Sequence, residues 1–203
     1  MLNLSKRILI LCEDEKSSKI YFESFKKDEK LKRNLSSVAI EVFHPKNHDP
    51  IGLVTKAKEM KLKAKRERNP YNEVWIVFDR NGHVNIDQAL ITARDNKINV
   101  GLSVVCFEFW ILLHFEKTTK SFTKCDDVIS YIKKKYIPNY DKKINYYDLL
   151  NEKIAEAINN AVWLEKQVSS DMENGVKIQD LPSFTNVHLL VNKLIQPDKI
   201  QKG

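Results

Sequence analysis

The sequence predicts an α/β protein: a doubly wound, mainly parallel four-stranded sheet flanked by helices, with a C-terminal helical region. Three observations predict this. Short, continuously apolar runs alternate with longer stretches of helical periodicity from Lys6 to Glu116, the order expected of repeated βαβ units. The strand-like runs are apolar on both faces, as in parallel strands covered by helices on either side. Strand-like runs then stop beyond Lys117. Residues 1–120 are therefore read as an α/β domain and 121–203 as a helical extension packed on it.

The first strand is Lys6–Cys12, KRILILC. A turn at Glu13–Lys16 leads to a helix capped by Ser17 or Ser18 and running to about Lys27, with Ile20, Tyr21, Ser24 and Phe25 inward. The second strand is Val38–Phe43. Asp49 is a good helix cap because Pro50 follows it at the first helical position, and that helix extends to about Arg66. Ile51, Val54, Ala57, Met60 and Ala64 mark its buried stripe. The third strand, Glu73–Phe78, closes on Asp79. A helix from about Asn85 to Asn96, a fourth strand Ile98–Val104 and an apolar helix Cys106–Glu116 complete the alternation. Further helices are expected at Cys125–Tyr136, Asn145–Gln167 and Thr185–Ile195, the last capped by Thr185 or Asn186.

Composition narrows the functional classes. Of 203 residues, 42% are hydrophobic and 30% charged, which leaves little room for extensive disorder. No apolar run approaches the ~18 residues of a bilayer span, so no membrane is expected. The start imitates a leader, but its apolar run is short and the acidic triplet Glu13-Asp14-Glu15 stands where small residues would precede cleavage. Cys12, Cys106 and Cys125 are odd in number and widely spaced, so neither a disulfide nor a zinc site is expected. They read as reduced cytoplasmic cysteines. The net charge of +7 fits a polyanionic partner, nucleic acid first, or simply a solvated lysine surface. GxGxxG, GxxxxGK[ST] and GxSxG are all absent, and with five glycines a nucleotide cradle is not expected.

Open parallel sheets bind ligands beyond the carboxyl ends of their strands. Glu13, Asp14 and Glu15 follow the first strand; Asp79, Asn81 and His83 the third; Cys106-Phe107-Glu108 the fourth. Three acidic groups from separate elements thus converge on one edge, a pattern suited to Mg²⁺ and phosphodiester chemistry. Glu108, flanked by Phe107, Phe109 and Trp110, must meet an exposed edge, a partner cation or a metal. Lys16, just past the acidic turn, could counter transition-state charge. His83 is a candidate ligand, proton shuttle or phosphate contact. His114, on the apolar helix, reads as a satisfied core histidine, and His188 is ambiguous.

Four segments in order, ILILCEDEKSSKIYF, VWIVFDRNGH, CFEFWILLHFE and TNVHLLVNKL, resemble the RloB family, bacterial proteins with a TOPRIM-like domain found among restriction and phage-defence genes. The resemblance runs from about Lys6 to Ile195. It implies a TOPRIM-like fold, with Glu13 as the glutamate after the first strand and Asp79 as the first aspartate of an Asp-x-Asp pair. The sequence departs from that pattern at Asn81, which stands at the second aspartate, and at Asp14, where glycine is usual. Glu108 matches the glutamate of the CFE block and His188 the histidine of the closing block. The family's place in phage defence or abortive infection implies a nuclease or toxin, often with an ATPase partner encoded nearby, and the first reading is a Mg²⁺- or Mn²⁺-dependent nuclease. Glu13, Asp79, Asn81 and Glu108 would hold metal, Glu13, Asp79, Glu108 and Lys16 would carry catalysis, and His83 and His188 would be accessory. The substrate class stays open among DNA, tRNA and other RNA. Two rivals stand beside this reading: a non-catalytic nucleic-acid or partner-binding module with a degenerate site, and a structural subunit of an ATPase complex.

Overall fold

The computed structural model describes residues 6–28, 38–80 and 82–196. Four strands, β1 (Lys6–Cys12), β2 (Val38–Phe43), β3 (Glu73–Asp79) and β4 (Asn99–Ser103), form one sheet in the order β2-β1-β3-β4. All three neighbouring pairs are parallel. The order reverses at β1: the chain moves outward to β2, then crosses back over β1 to β3. That reversal creates a crevice at the carboxyl ends of β1 and β3.

The pleat divides the core in two. Leu9, Leu11, Val74, Ile76 and Phe78 face helices α2 (Pro50–Arg66) and α3 (Ile86–Asp95). Ile8, Ile10, Cys12, Trp75 and Val77 face the opposite layer, where α1 (Ser17–Phe25) lies with α4 (Glu108–Leu113), α5 (Cys125–Lys135), α6 (Tyr147–Asn151), α7 (Ile154–Glu173) and α8 (Val187–Ile195). The strands are apolar on both sides because both sides are covered. The helical half shares this second core with the sheet: Phe107, Phe109 and Trp110 lie in one apolar cluster with Val128, Leu164 and Val191. Among the described residues, no helix is long and apolar enough to cross a membrane.

Asp49 caps α2 as its sequence predicts, accepting the N–H groups of Ile51 at 3.1 Å and Gly52 at 3.0 Å. The α2 stripe is shifted slightly: Leu53, Val54, Ala57 and Ala64 are buried, while Ile51 and Met60 are only half-buried. Other boundaries differ for identifiable reasons. The expected Cys106–Glu116 helix narrows to six α-helical residues, because both its ends tighten into short turns, such as Phe109 N–H to Cys106 O at 2.9 Å and His114 N–H to Ile111 O at 3.1 Å. The expected Asn145–Gln167 helix breaks at Glu152-Lys153 into α6 and α7, and α7 continues to Glu173. Asn186 does not cap α8. Its Oδ1 accepts the Leu102 N–H at 2.7 Å, and Ser103 bridges antiparallel to Thr185. The stretch 184–186 therefore lies along β4 and anchors the helical half to the sheet edge.

Candidate functional site

The turn after β1 is built by Asp14. Its carboxylate accepts the Lys16 N–H at 3.0 Å, the Ser17 hydroxyl at 2.7 Å and the Ser18 N–H at 3.4 Å. Asp14, rather than Ser17 or Ser18, thus satisfies the amides that open α1. An aspartate at this position has a structural use, and its neighbour Glu13 is left to face the crevice.

Glu13 joins the two strand ends. Its backbone N–H donates to Val77 O at 2.9 Å, continuing the β1–β3 ladder past Cys12. Its Oε2 accepts the Asp79 N–H at 2.7 Å, and its Oε1 lies 2.5 Å from His83 Nε2. Three sequence-selected residues from two strand ends therefore meet at the point where the strand order reverses. Asn81, between Asp79 and His83, lies outside the described residues.

Glu108, at the start of α4, is near enough for its charge to act on Asp79, but among the described residues the ligand oxygens of Glu13, Asp79 and Glu108 do not all lie within 4.8 Å of one another. Glu108 is fully buried. Its Oε1 accepts the Tyr140 hydroxyl at 3.2 Å and its Oε2 lies 3.1 Å from Lys142 Nζ. Of the three environments open to this glutamate, a partner cation is the one found. Burial, then the charge of Glu108, then that of Glu13 push the Asp79 carboxyl well above its ordinary range; Lys142 pulls the other way. Burial draws the Lys142 ammonium down, but Glu108, with Asp79 and Asp14, outweighs that and holds it above its usual value. The arrangement sets four carboxylates against one lysine. No hydrogen bond to the Asp79 carboxylate is found among the described residues. Asp79 is half-buried and crowded by like charges, a repulsion that a hard divalent cation would offset.

The other sequence-selected residues lie elsewhere. Lys16 is exposed, and among the described residues its ammonium meets none of these carboxylates. Lys142 holds the cationic position that was expected of Lys16. The sequence signal for Lys142 was indirect: Glu108 required a counter-charge, but the segment Asp141-Lys142-Lys143 reads as a solvated loop. Tyr140 was missed for the same reason. His188 is buried on α8, with Nε2 3.5 Å from Glu165 of α7, and among the described residues it does not touch the acidic cluster. His114 is a core histidine. Nδ1 faces the Trp110 carbonyl at 3.0 Å and so carries the proton, leaving Nε2 to accept the Tyr21 hydroxyl at 3.2 Å.

The cysteines require a correction. Cys106 and Cys125 form a disulfide, with Cα atoms 5.5 Å apart, where neither a disulfide nor a metal-binding pair was expected. Their separation of 19 residues carries no local motif; they meet because α4 and its following loop return the chain to the start of α5. Cys12 is free and buried, as read from the sequence, and burial pushes its thiol up to about 12.

No curated protein and no solved structure matches the chain. A family model does, over residues 8–194, nearly the whole length and spanning all four segments in which the resemblance was read. The chain belongs to the family of RloB-like proteins.

Proposed function

We propose that this protein is a nuclease of bacterial phage defence that hydrolyses nucleic-acid phosphodiesters with Mg²⁺ or Mn²⁺ and works with an ATPase partner. The observation that carries this reading is the meeting of Glu13 and Asp79 at the β1–β3 switch point, with Glu108 close enough to raise the Asp79 carboxyl. Family membership supports the defence setting and the partner, and the absence of a phosphate-binding glycine motif leaves nucleotide hydrolysis to another chain.

Glu13, Asp79 and Glu108 would hold the ion, with Asn81 supplying a neutral oxygen. A bound ion would polarise the phosphate and activate water. His83, against Glu13 Oε1, is placed to hold or move a proton at that oxygen. Lys142 is placed to meet developing negative charge. Calorimetry with Mg²⁺ and Mn²⁺, with and without nucleic acid, tests the ion. Wild type should bind weakly alone and more tightly with nucleic acid, and Asp79→Asn should lose both. A cleavage assay on duplex DNA, tRNA and other RNA, with the ATPase partner present, identifies the substrate. Absence of binding at millimolar metal with nucleic acid present overturns the proposal.

Asn81 favours a second reading, a binding module with a degenerate site, because an amide removes one negative charge from the expected set. Asn81→Asp separates the two. In an active enzyme it strengthens metal binding in the free protein; in a degenerate module it creates cleavage where wild type has none.

A further inference from the structure

We propose that Cys106 and Cys125 are a reversible thiol–disulfide site that decides whether Lys142 is bound to Glu108 or free to meet an anion. The inference rests on the preceding reading only for the consequence to catalysis; the switch itself is a property of four side chains.

Cys125 opens α5 and is half-exposed, whereas Cys106 is buried. Cys125 Sγ lies 3.2 Å from Glu108 Oε2 and 3.3 Å from Lys142 Nζ. Lys142 Nζ is itself 3.1 Å from Glu108 Oε2. The sulfur, the ammonium and one carboxylate oxygen thus form a closed triangle. In the disulfide, Cys125 Sγ has no proton to give, and Oε2 depends on Lys142. In the reduced protein the Cys125 S–H donates to Oε2 from the same position, and the lysine can leave without stranding a buried carboxylate. The Lys142 side chain is 31% exposed, so it has a path outward, while Glu108 has none.

The exchange balances with a dithiol. One thiolate of the reductant attacks Cys125 Sγ, the more accessible sulfur, and the S–S bond breaks to release the Cys106 thiolate, which takes a proton from water. The second reductant thiolate then attacks the mixed disulfide and closes the reductant's own disulfide. The Cys125 thiolate leaves and is protonated in turn. A diazene oxidant such as diamide runs the pair back, taking two electrons and two protons to become a hydrazine.

The test is the rate of Lys142 acetylation in the full chain, read by peptide mass spectrometry, with thiols counted by alkylation. Diamide-treated protein should alkylate at Cys12 alone once unfolded; dithiothreitol-treated protein should alkylate at all three cysteines. Lys142 should label several-fold faster in the reduced protein. Two variants separate the switch from simple loss of a cross-link. Cys106→Ser keeps the Cys125 thiol and should label at the reduced rate in either buffer. Cys125→Ala lacks both the cross-link and the donor, so it should label slowly, like the oxidised protein. Equal labelling in both redox states, a Cys125→Ala rate matching reduced wild type, or three free thiols after diamide each overturns the proposal. A failure of the nuclease reading shows instead as absent metal binding and leaves these rates unchanged.

Discussion

The Glu13 side chain accepts the backbone N–H of Asp79 at 2.7 Å, so one catalytic candidate fixes the backbone that carries the other. β1 and β3 are neighbours only because β2 lies on the far side of β1. The hydrogen bond therefore spans the reversal in strand order and holds the two carboxylates at one crevice.

Asp79→Asn should remove metal binding and stabilise the metal-free protein. The folded pKa of Asp79 is raised. Its contribution to stability is therefore present below the ordinary carboxylate value and is lost as pH rises through the elevated one. Above that elevated value the ionised form carries the whole penalty, and an amide does not. Thermal melts in chelator should show a higher Tm for Asp79→Asn, by roughly 2–4 °C per kcal/mol relieved in a chain of this size. A large loss of stability would instead make Asp79 a structural residue.

Lys142→Met should destabilise the protein by about 3 kcal/mol, the usual cost of stranding a buried charge. Glu108 is fully buried, and in the disulfide form of the protein Tyr140 alone would then partner its carboxylate. Adding Glu108→Gln should recover much of the loss, since the amide needs no counter-ion. Denaturant titrations of the two single variants and the double variant give the coupling directly. Additive losses would show that the ion pair contributes little.

His114 should make the fold acid-sensitive. Burial depresses its pKa to about 4 from 6.5. Stability from this group is complete above the unfolded value and declines as pH falls from 6.5 towards 4, by roughly 3 kcal/mol at most. When Nε2 takes a proton the Tyr21 hydroxyl must turn from donor to acceptor, while Nδ1–H keeps the Trp110 carbonyl, so the cost of acid is that of placing a charge in the core. Equilibrium unfolding from pH 7 to 4 should slope less steeply in His114→Gln than in wild type.

Nucleic-acid binding should depend on salt through the outer face of α2. Lys58, Lys65 and Arg66 are exposed there and Arg68 just beyond its end, whereas Lys56 is paired with Glu59, Lys63 with Glu67, and Lys61 with the Asn96 and Lys97 carbonyls. Replacing Lys58, Lys65, Arg66 and Arg68 with alanine should reduce the log–log salt slope on duplex DNA by about 0.9 for each phosphate left without its cation. An unchanged slope would leave this face as a solvated surface.

The strands, the α2 cap at Asp49 and the acidic residues at the strand ends were all legible from the sequence alone. Each depends on neighbours within a few positions: an apolar run, an Asp-Pro pair, a charge closing a strand. Strand termini in a parallel sheet share one edge, so locating Glu13 and Asp79 in the chain also placed them beside one another, whereas Glu108 opens α4 beyond the end of β4. Only the tertiary structure decided what surrounds them. Lys142 and Tyr140 reach Glu108 from more than 30 positions away, and Cys125 reaches Cys106 from 19. The bridge from Thr185 to Ser103 likewise joins distant segments. These pairings are specified by how the helical half packs against the sheet, through many weak apolar attractions spread over both, and no short stretch of sequence records that sum.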